Sequence, residues 1–169
     1  MNKCVVLFMD LDGTLWDHYD ISLLTPPFTR ISELEIMDSN SVVVRVKKLA
    51  LEILEYAVKR GFIISTLSWN DPVKALEALR VLGIDKLFHY HATENHPHKA
   101  LMAHRVVEVV KSRVEICRDK ISIIYIDDRE LHVEEMKSAF RDLLYIKAWE
   151  TCRDLSECIN LIERYIQVE

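Results

Sequence analysis

The feature that most limits the possible folds of this chain is an apolar run, Cys4–Met9, followed at once by the acidic turn DLDGT at positions 10–14. An apolar run of this length is typical of a strand that is buried on both faces of a parallel sheet. Open α/β sheets bind their ligands at the carboxyl ends of their strands, where this turn would lie. Asp10 and Asp12 would point the same way along an extended chain, and Gly13 lets the chain leave the sheet. We therefore expect a binding site directly after the first strand.

Two carboxylates held close together repel each other unless a cation lies between them. Their oxygen atoms suit a hard divalent cation such as Mg²⁺. Taken alone, however, an Asp-x-Asp sequence after a strand is more often an ordinary polar loop. The interpretation therefore depends on the residues at the ends of the other strands.

Strand and helix patterns alternate along all 169 residues. Strands are predicted at 4–9, 62–67, 87–91, 121–126 and 143–147, and helices at 42–60, 71–83, 97–112, 130–139 and 155–166. Such alternation predicts an α/β fold: a single Rossmann-like domain over residues 1–169, with a mostly parallel five-stranded sheet and helices on both faces. The irregular stretch 16–41 has room for a short flap with a small hairpin, and not for a large cap domain.

Polar residues also follow the later strands of this predicted sheet. The sequence Ser68-Trp69-Asn70 ends the second strand, Lys99 opens the helix after the third, and the pair Asp127-Asp128 ends the fourth. Each has an ordinary explanation by itself, as a turn residue, a solvated lysine or a helix start. Because the carboxyl ends of parallel strands share one edge, we expect all these groups to meet the first acidic turn. Together they favour a catalytic site.

With these motifs the chain resembles the haloacid dehalogenase (HAD) superfamily. The superfamily pattern is Asp-x-Asp-x-Thr after the first strand, a Ser or Thr after the second, a Lys near the next helix and an acidic pair after the fourth strand. The sequences Thr14-Leu15-Trp16 and Pro26-Pro27-Phe28 are similar to the magnesium-dependent phosphatase branch. One departure is Trp69, where some members of that branch carry an arginine.

The resemblance implies a Mg²⁺-dependent phosphohydrolase that acts on a phosphomonoester through an aspartyl-phosphate intermediate. Asp10 would be the nucleophile and Asp12 the general acid and base. The implied phosphate-binding residues are Leu11, Ser68, Trp69, Asn70 and Lys99. The implied metal ligands are Asp10, Asp12 through its backbone carbonyl, Asp127 and Asp128, the last either directly or through water. The substrate would be a phosphorylated small molecule or a phosphoprotein.

Two other interpretations stay open on the sequence. A phosphate-accepting signalling or binding module would use a similar set of residues with little or no turnover, although receiver domains carry their aspartate on a later strand. Four histidines lie within ten residues directly before Lys99; they are His89, His91, His96 and His98. A transition-metal site there is conceivable, but solvated rim residues are the favoured interpretation, because no carboxylate or cysteine has matching spacing.

The net charge, the N-terminal sequence and the cysteines indicate which partners and which compartment to expect. The net charge of −5 argues against a nucleic-acid or anionic-membrane partner. The first strand begins within three residues of Met1 and no apolar run has membrane-spanning length, so we expect a cytoplasmic protein. We expect Cys4 to be a small core residue, and neither a Cys152–Cys158 disulfide nor a zinc site to form.

Overall fold

The computed structural model describes residues 3–167, which form an α/β domain with two sheets. The strands in chain order are β1 (Cys4–Met9), β2 (Thr29–Arg30), β3 (Glu35–Met37), β4 (Val43–Arg45), β5 (Ile63–Trp69), β6 (Tyr90–Glu94), β7 (Ile121–Asp127) and β8 (Leu143–Lys147). The helices are α1 (Lys48–Lys59), α2 (Pro72–Leu82), α3 (Lys99–Arg113), α4 (Val133–Ala139) and α5 (Leu155–Gln167).

The main sheet has five parallel strands in the order β6-β5-β1-β7-β8. The chain starts at the central strand, moves outward on one side to β5 and β6, and then crosses to β7 and β8 on the other side. The strand order therefore reverses beside β1, which is where open α/β sheets bind ligands. The predicted α/β fold with its five-stranded sheet is confirmed.

Helices cover both faces of this sheet, and the side chains of β1 alternate between the two cores. Val5, Leu7 and Met9 pack in the core that α1, α2 and α5 cover. Val6 and Phe8 pack in the opposite core, beneath α3 and α4. All of these side chains are buried, and each such burial contributes about 1.5–3 kcal/mol to stability. Burial on both sides explains why β1 is apolar throughout.

Local signals set the ends of α2 where the sequence predicted them. The Asp71 carboxylate accepts hydrogen bonds from the backbone N–H groups of Val73 (2.9 Å) and Lys74 (3.1 Å), and Pro72 is the first helical residue. Gly83 ends the helix in the left-handed conformation, with φ of 75°. Asn70 lies between the end of β5 and this helix start.

The prediction of one helix over 42–60 was wrong at its beginning. Val43–Arg45 form β4, which pairs antiparallel with β3, and α1 begins only at Lys48. Val44 is buried while Val43 is exposed, so burial alternates as in a strand, and β-branched residues favour strands. The stretch 29–45 is thus a three-stranded antiparallel sheet rather than a hairpin. The predicted third strand of the main sheet also lies slightly later, at β6.

Cys4 is a buried core residue, as predicted, but it also forms a disulfide, and the prediction that Cys152 and Cys158 do not pair was wrong. The structure contains two disulfides, Cys4–Cys117 and Cys152–Cys158. Same-face helical spacing does not govern the second pair, because Cys152 precedes α5 and the chain turns there, so that the two Cα atoms lie 5.2 Å apart. The first pair joins β1 to the segment after α3, a contact 113 residues distant in sequence. Among the residues described, no helix is both long and apolar enough to cross a bilayer.

Candidate active site

Three charged side chains meet where β1, β6 and β7 end. The Nζ atom of Lys99 lies 2.9 Å from Oδ1 of Asp10 and 2.6 Å from Oδ2 of Asp127. All three side chains are almost completely buried. Burial by itself lowers the pKa of Lys99, but the charges of Asp10 and Asp127 outweigh it and raise that pKa above its usual value. Lys99 is therefore a fixed positive charge inside an acidic site.

The Asp10 carboxylate is buried, but its oxygens are not committed to hydrogen bonds. Within residues 3–167, neither oxygen receives a directed hydrogen bond, although Lys99 lies close to one of them. Burial raises the pKa of Asp10 to about 7; Lys99 opposes this rise and Asp127 adds to it. A buried carboxylate with free lone pairs is suited to contact a cation or an electrophile.

Asp127 and Asp128 complete an acidic cluster with Asp10. Ligand oxygens of the three side chains all lie within 4.8 Å of one another, which is close enough for one cation. Oδ1 of Asp127 accepts a hydrogen bond from the backbone N–H of Arg129 (2.9 Å), and Oδ2 accepts one from the Tyr125 hydroxyl. Burial and the nearby charge of Asp127 raise the pKa of Tyr125, so this hydroxyl keeps its proton and donates.

Gly13 and Thr14, the last two residues of the turn at positions 10–14, contact Asp128 in the acidic pair after β7. Gly13 has a φ of 69°, and a Cβ atom there would lie 2.5 Å from Oδ2 of Asp128. The Thr14 hydroxyl donates to Oδ1 of Asp128 (3.2 Å) and accepts from the Asp128 backbone N–H (2.9 Å). The turn after β1 therefore holds the acidic pair after β7 in place.

Asp12 is held by three hydrogen-bond donors. Its Oδ1 accepts from the Trp16 indole (2.7 Å) and the Ile21 backbone N–H (3.1 Å), and its Oδ2 accepts from the Asn70 amide (2.6 Å). Burial raises the pKa of Asp12, and the bonds from Trp16 and Ile21 offset part of that rise. The side chain is thus oriented by its neighbours and favours its protonated form more than an exposed aspartate would.

The remaining predicted residues surround this centre in different ways. Leu11 is buried, and its carbonyl accepts the backbone N–H groups of residues 14–16. Ser68 is buried at the end of β5, and within residues 3–167 its hydroxyl makes no hydrogen bond. Trp69 is 47% exposed beside it. Asn70 is buried and bonds to Asp12, a contact that makes it a neighbour of the acid.

Sequence reasoning missed two contacts at this site. Trp16 was placed in the irregular stretch 16–41, but it is fully buried and its indole donates to Asp12. Tyr125 was treated only as part of an apolar strand, but it bonds to Asp127. Its position two residues before Asp127 on the same strand is a signal that could have indicated the contact.

The four histidines do not gather into a metal centre in the described part of the chain. His96 contacts Glu94 at 2.7 Å, and His89 accepts a hydrogen bond from the backbone N–H of Ile64 (3.1 Å). The group of side chains placed to share a metal ion there consists of Asp10, Asp127 and Asp128. The transition-metal interpretation therefore has no geometric support.

A parallel α/β sheet with paired acids, a lysine and a buried serine at its carboxyl edge is the arrangement of HAD-type phosphatases. The model of the acid phosphatase family matches residues 3–125, and the chain belongs to this family. It is a phosphatase. No curated protein matches the chain in sequence.

Solved structures share the fold at low sequence identity. The HAD domain of effector protein Lem4 from Legionella pneumophila is 14% identical with a TM-score of 0.59, over 98% of this chain and 96% of that one. The N-terminal part of protein BF1531 from Bacteroides fragilis, which contains a phosphatase domain complexed with Mg, is 15% identical with a TM-score of 0.58. That match covers 96% of this chain but only 40% of the other.

Proposed function

We propose that the protein is a Mg²⁺-dependent phosphohydrolase that cleaves phosphomonoesters through a phosphorylated Asp10. The observation that carries this proposal is the state of Asp10: it is buried beside Lys99, and its oxygens receive no directed hydrogen bond from residues 3–167. A carboxylate that served only the fold would have its lone pairs satisfied. Oδ1 of Asp10 contacts the Lys99 ammonium at 2.9 Å, and Oδ2 has lone pairs free for the nucleophilic role.

The residues present fit a divalent cation. Asp10, Asp127 and Asp128 offer oxygen ligands from three side chains, and Oδ2 of Asp10 has no hydrogen-bond partner within residues 3–167. The Asp12 backbone carbonyl is the proposed fourth protein ligand. When bound, Mg²⁺ would reduce the repulsion between the anionic nucleophile and the anionic phosphate. The solved phosphatase domain from Bacteroides fragilis, which holds Mg, supports the same assignment.

Two proton transfers by Asp12 complete the reaction. Asp10 attacks phosphorus, a new bond forms between its carboxylate oxygen and phosphorus, and the bond from phosphorus to the ester oxygen breaks. Protonated Asp12 gives its proton to that leaving oxygen. The Asp12 carboxylate then takes a proton from water, which attacks phosphorus, releases inorganic phosphate and regenerates Asp10. The three donors around Asp12 hold it for both transfers.

Lys99 and Ser68 would hold the phosphoryl oxygens as negative charge develops on them. Lys99 is a fixed cation, and the Ser68 hydroxyl has no competing hydrogen bond within residues 3–167. Backbone N–H groups near Leu11 and Trp69 would add donors. Asn70, the remaining proposed phosphate-binding residue, also donates to Oδ2 of Asp12 and so helps to hold that acid.

We propose that residues 1–169 act as one hydrolase domain in which residues 16–41 form a short flap beside the site. The substrate is a phosphorylated small molecule or a phosphoprotein, with neither nucleic acid nor membrane as a partner. The proposed compartment is the cytoplasm. Two disulfides in a cytoplasmic protein are typical of hyperthermophiles, whose intracellular proteins are an exception to the usual absence of such bonds.

Turnover of p-nitrophenyl phosphate by the purified protein, with and without Mg²⁺, tests this function. We expect steady turnover that stops in EDTA and returns with Mg²⁺. The variant Asp10→Asn should be inactive, while Asp119→Asn, the same change at an exposed position, should keep full activity. A single stable phosphorylation without turnover would instead support a signalling module, and no reaction would support a binding protein.

A further inference from the structure

Tyr125 is a buried tyrosine whose hydroxyl ends at the acidic cluster. It lies in the middle of β7, is completely buried, and packs in the core beneath α3 and α4. Because side chains two apart in a strand point the same way, Tyr125 and Asp127 lie on the same side of the sheet. The Tyr125 hydroxyl donates a hydrogen bond to Oδ2 of Asp127. The ring packs in the core, while the hydroxyl makes a polar contact at its edge.

The two oxygens of the Asp127 carboxylate differ in the hydrogen bonds that they accept. Oδ2 accepts from both the Tyr125 hydroxyl and the Lys99 ammonium (2.6 Å), which together occupy the two lone pairs of that oxygen. Oδ1 accepts only the backbone N–H of Arg129 (2.9 Å) from residues 3–167, so one of its lone pairs remains open. The open lone pair belongs to the same cluster as Asp10 and Asp128.

We propose that Tyr125 is a positioning residue that fixes the Asp127 carboxylate so that Oδ1 is presented to the divalent cation. This inference rests on the proposed function, which places a cation at the acidic cluster. Without the phenol, Lys99 would be the sole side-chain donor to Oδ2, and it also contacts Asp10. The carboxylate would then rotate more freely, and cation binding would have to order it.

Tyr145 provides a matched control. It pairs with Tyr125 in the register of β7 and β8, and the two ring centroids are 5.6 Å apart. Its hydroxyl donates to the backbone carbonyl of Asp127 (3.2 Å) and not to the carboxylate. The same carbonyl also accepts the Ala148 backbone N–H (3.0 Å), so removing the Tyr145 hydroxyl leaves it satisfied.

The test is calorimetric titration of Mg²⁺ into metal-free wild type, Tyr125→Phe and Tyr145→Phe. Loss of a partner that orients a metal ligand typically weakens affinity about 10- to 100-fold. We expect a loss of at least about 10-fold for Tyr125→Phe and less than about twofold for Tyr145→Phe. Turnover of p-nitrophenyl phosphate should require more Mg²⁺ in Tyr125→Phe but reach a similar kcat at saturation.

Equal Mg²⁺ affinity in wild type and Tyr125→Phe would overturn the proposal, as would equal losses in the two variants. If Tyr125→Phe does not fold, carbon NMR of the labelled tyrosine ring in the wild type replaces it: the Tyr125 resonance should move in step with Mg²⁺ binding, and an unchanged resonance contradicts the role. Failure of the wild type to bind Mg²⁺ would instead remove the proposed function itself, so the two failures are distinguishable.

Discussion

Asp10 and Asp12 are identical residues two positions apart, but the protein surrounds them differently. Asp10 has Lys99 and two further carboxylates as neighbours and receives no directed hydrogen bond from residues 3–167. Asp12 is held at both oxygens by neutral donors, from Trp16, Ile21 and Asn70. Asp10 therefore lies among charged groups with one oxygen unpaired, whereas both oxygens of Asp12 are satisfied by neutral donors.

This difference separates the chemistry of the two groups. Burial raises both pKa values, that of Asp10 to about 7; Lys99 opposes the rise at Asp10, while the charge of Asp127 adds to it. Asp12 is instead held by neutral donors, which orient it for proton transfer. Paired carboxyls whose surroundings differ in this way commonly divide the nucleophilic and acid–base roles.

The substitution Asp10→Asn should cause the largest loss of activity, because it removes the proposed nucleophile and leaves Asp12 unchanged. An amide cannot form the phosphoryl intermediate, so kcat should fall about 10⁴-fold or more. Circular dichroism should show an intact fold, since the shape of the side chain is unchanged. A kcat within about tenfold of the wild-type value would contradict the assignment of Asp10 as the nucleophile.

The substitution Gly13→Ala perturbs only the cluster on the Asp10 side. The left-handed backbone costs an alanine about 1–2 kcal/mol, and its Cβ would push into the Asp128 carboxylate, 2.5 Å away. We expect weaker Mg²⁺ activation together with lower stability. Gly61→Ala is the matched control, because Gly61 has a φ of 71° but nothing within 4 Å of an added Cβ. If both variants change Mg²⁺ activation equally, the close approach of Gly13 to Asp128 plays no part in metal binding.

The substitution Trp16→Phe sharpens the comparison on the Asp12 side. Loss of the indole donor should leave Asp12 less well oriented as an acid, and this matters most when the leaving group is a poor one. We expect kcat/KM to fall about 10-fold for an alkyl phosphate and much less for p-nitrophenyl phosphate. Equal losses for both substrates would show that Trp16 supports the fold without serving the acid.

The smallest predicted effect is a pH dependence of Mg²⁺ binding. With a pKa of about 7 in the metal-free protein, Asp10 is increasingly protonated as the pH falls below 7, and the cation must displace that proton. Mg²⁺ affinity should therefore fall about threefold between about pH 7.5 and about pH 6.5, with proton release on binding. Calorimetry in buffers of different ionisation enthalpy measures that release. Affinity that rises toward acid pH would contradict the assignment.

The sequence was sufficient for features with a local or periodic signal. The buried strand Cys4–Met9, the start of α2 at Asp71 and the acidic groups at strand ends all follow from such signals, and parallel strands bring those groups to one edge. Contacts set by the path of a turn or by tertiary placement carry no such signal. The bond from Trp16 to Asp12 depends on how the turn folds back, and the Cys4–Cys117 disulfide depends on tertiary placement.

The strand β4 shows a second limit on predicting structure from sequence. The residues around Val43 are compatible with both a helical and a strand pattern over so short a length, and pairing with β3 decides between them. Secondary structure in a small antiparallel sheet depends on its partners more than on its own sequence.

Direct chemical trapping of the intermediate tests the central claim that Asp10 is the nucleophile. The variant Asp12→Asn should still be phosphorylated by p-nitrophenyl phosphate with Mg²⁺, because that leaving group needs no acid, but should hydrolyse the intermediate slowly. After acid quench and borohydride reduction, peptide mass spectrometry should find homoserine at position 10, and none in Asp10→Asn. Homoserine at any other position, or a burst of p-nitrophenol without modification of Asp10, would contradict the account.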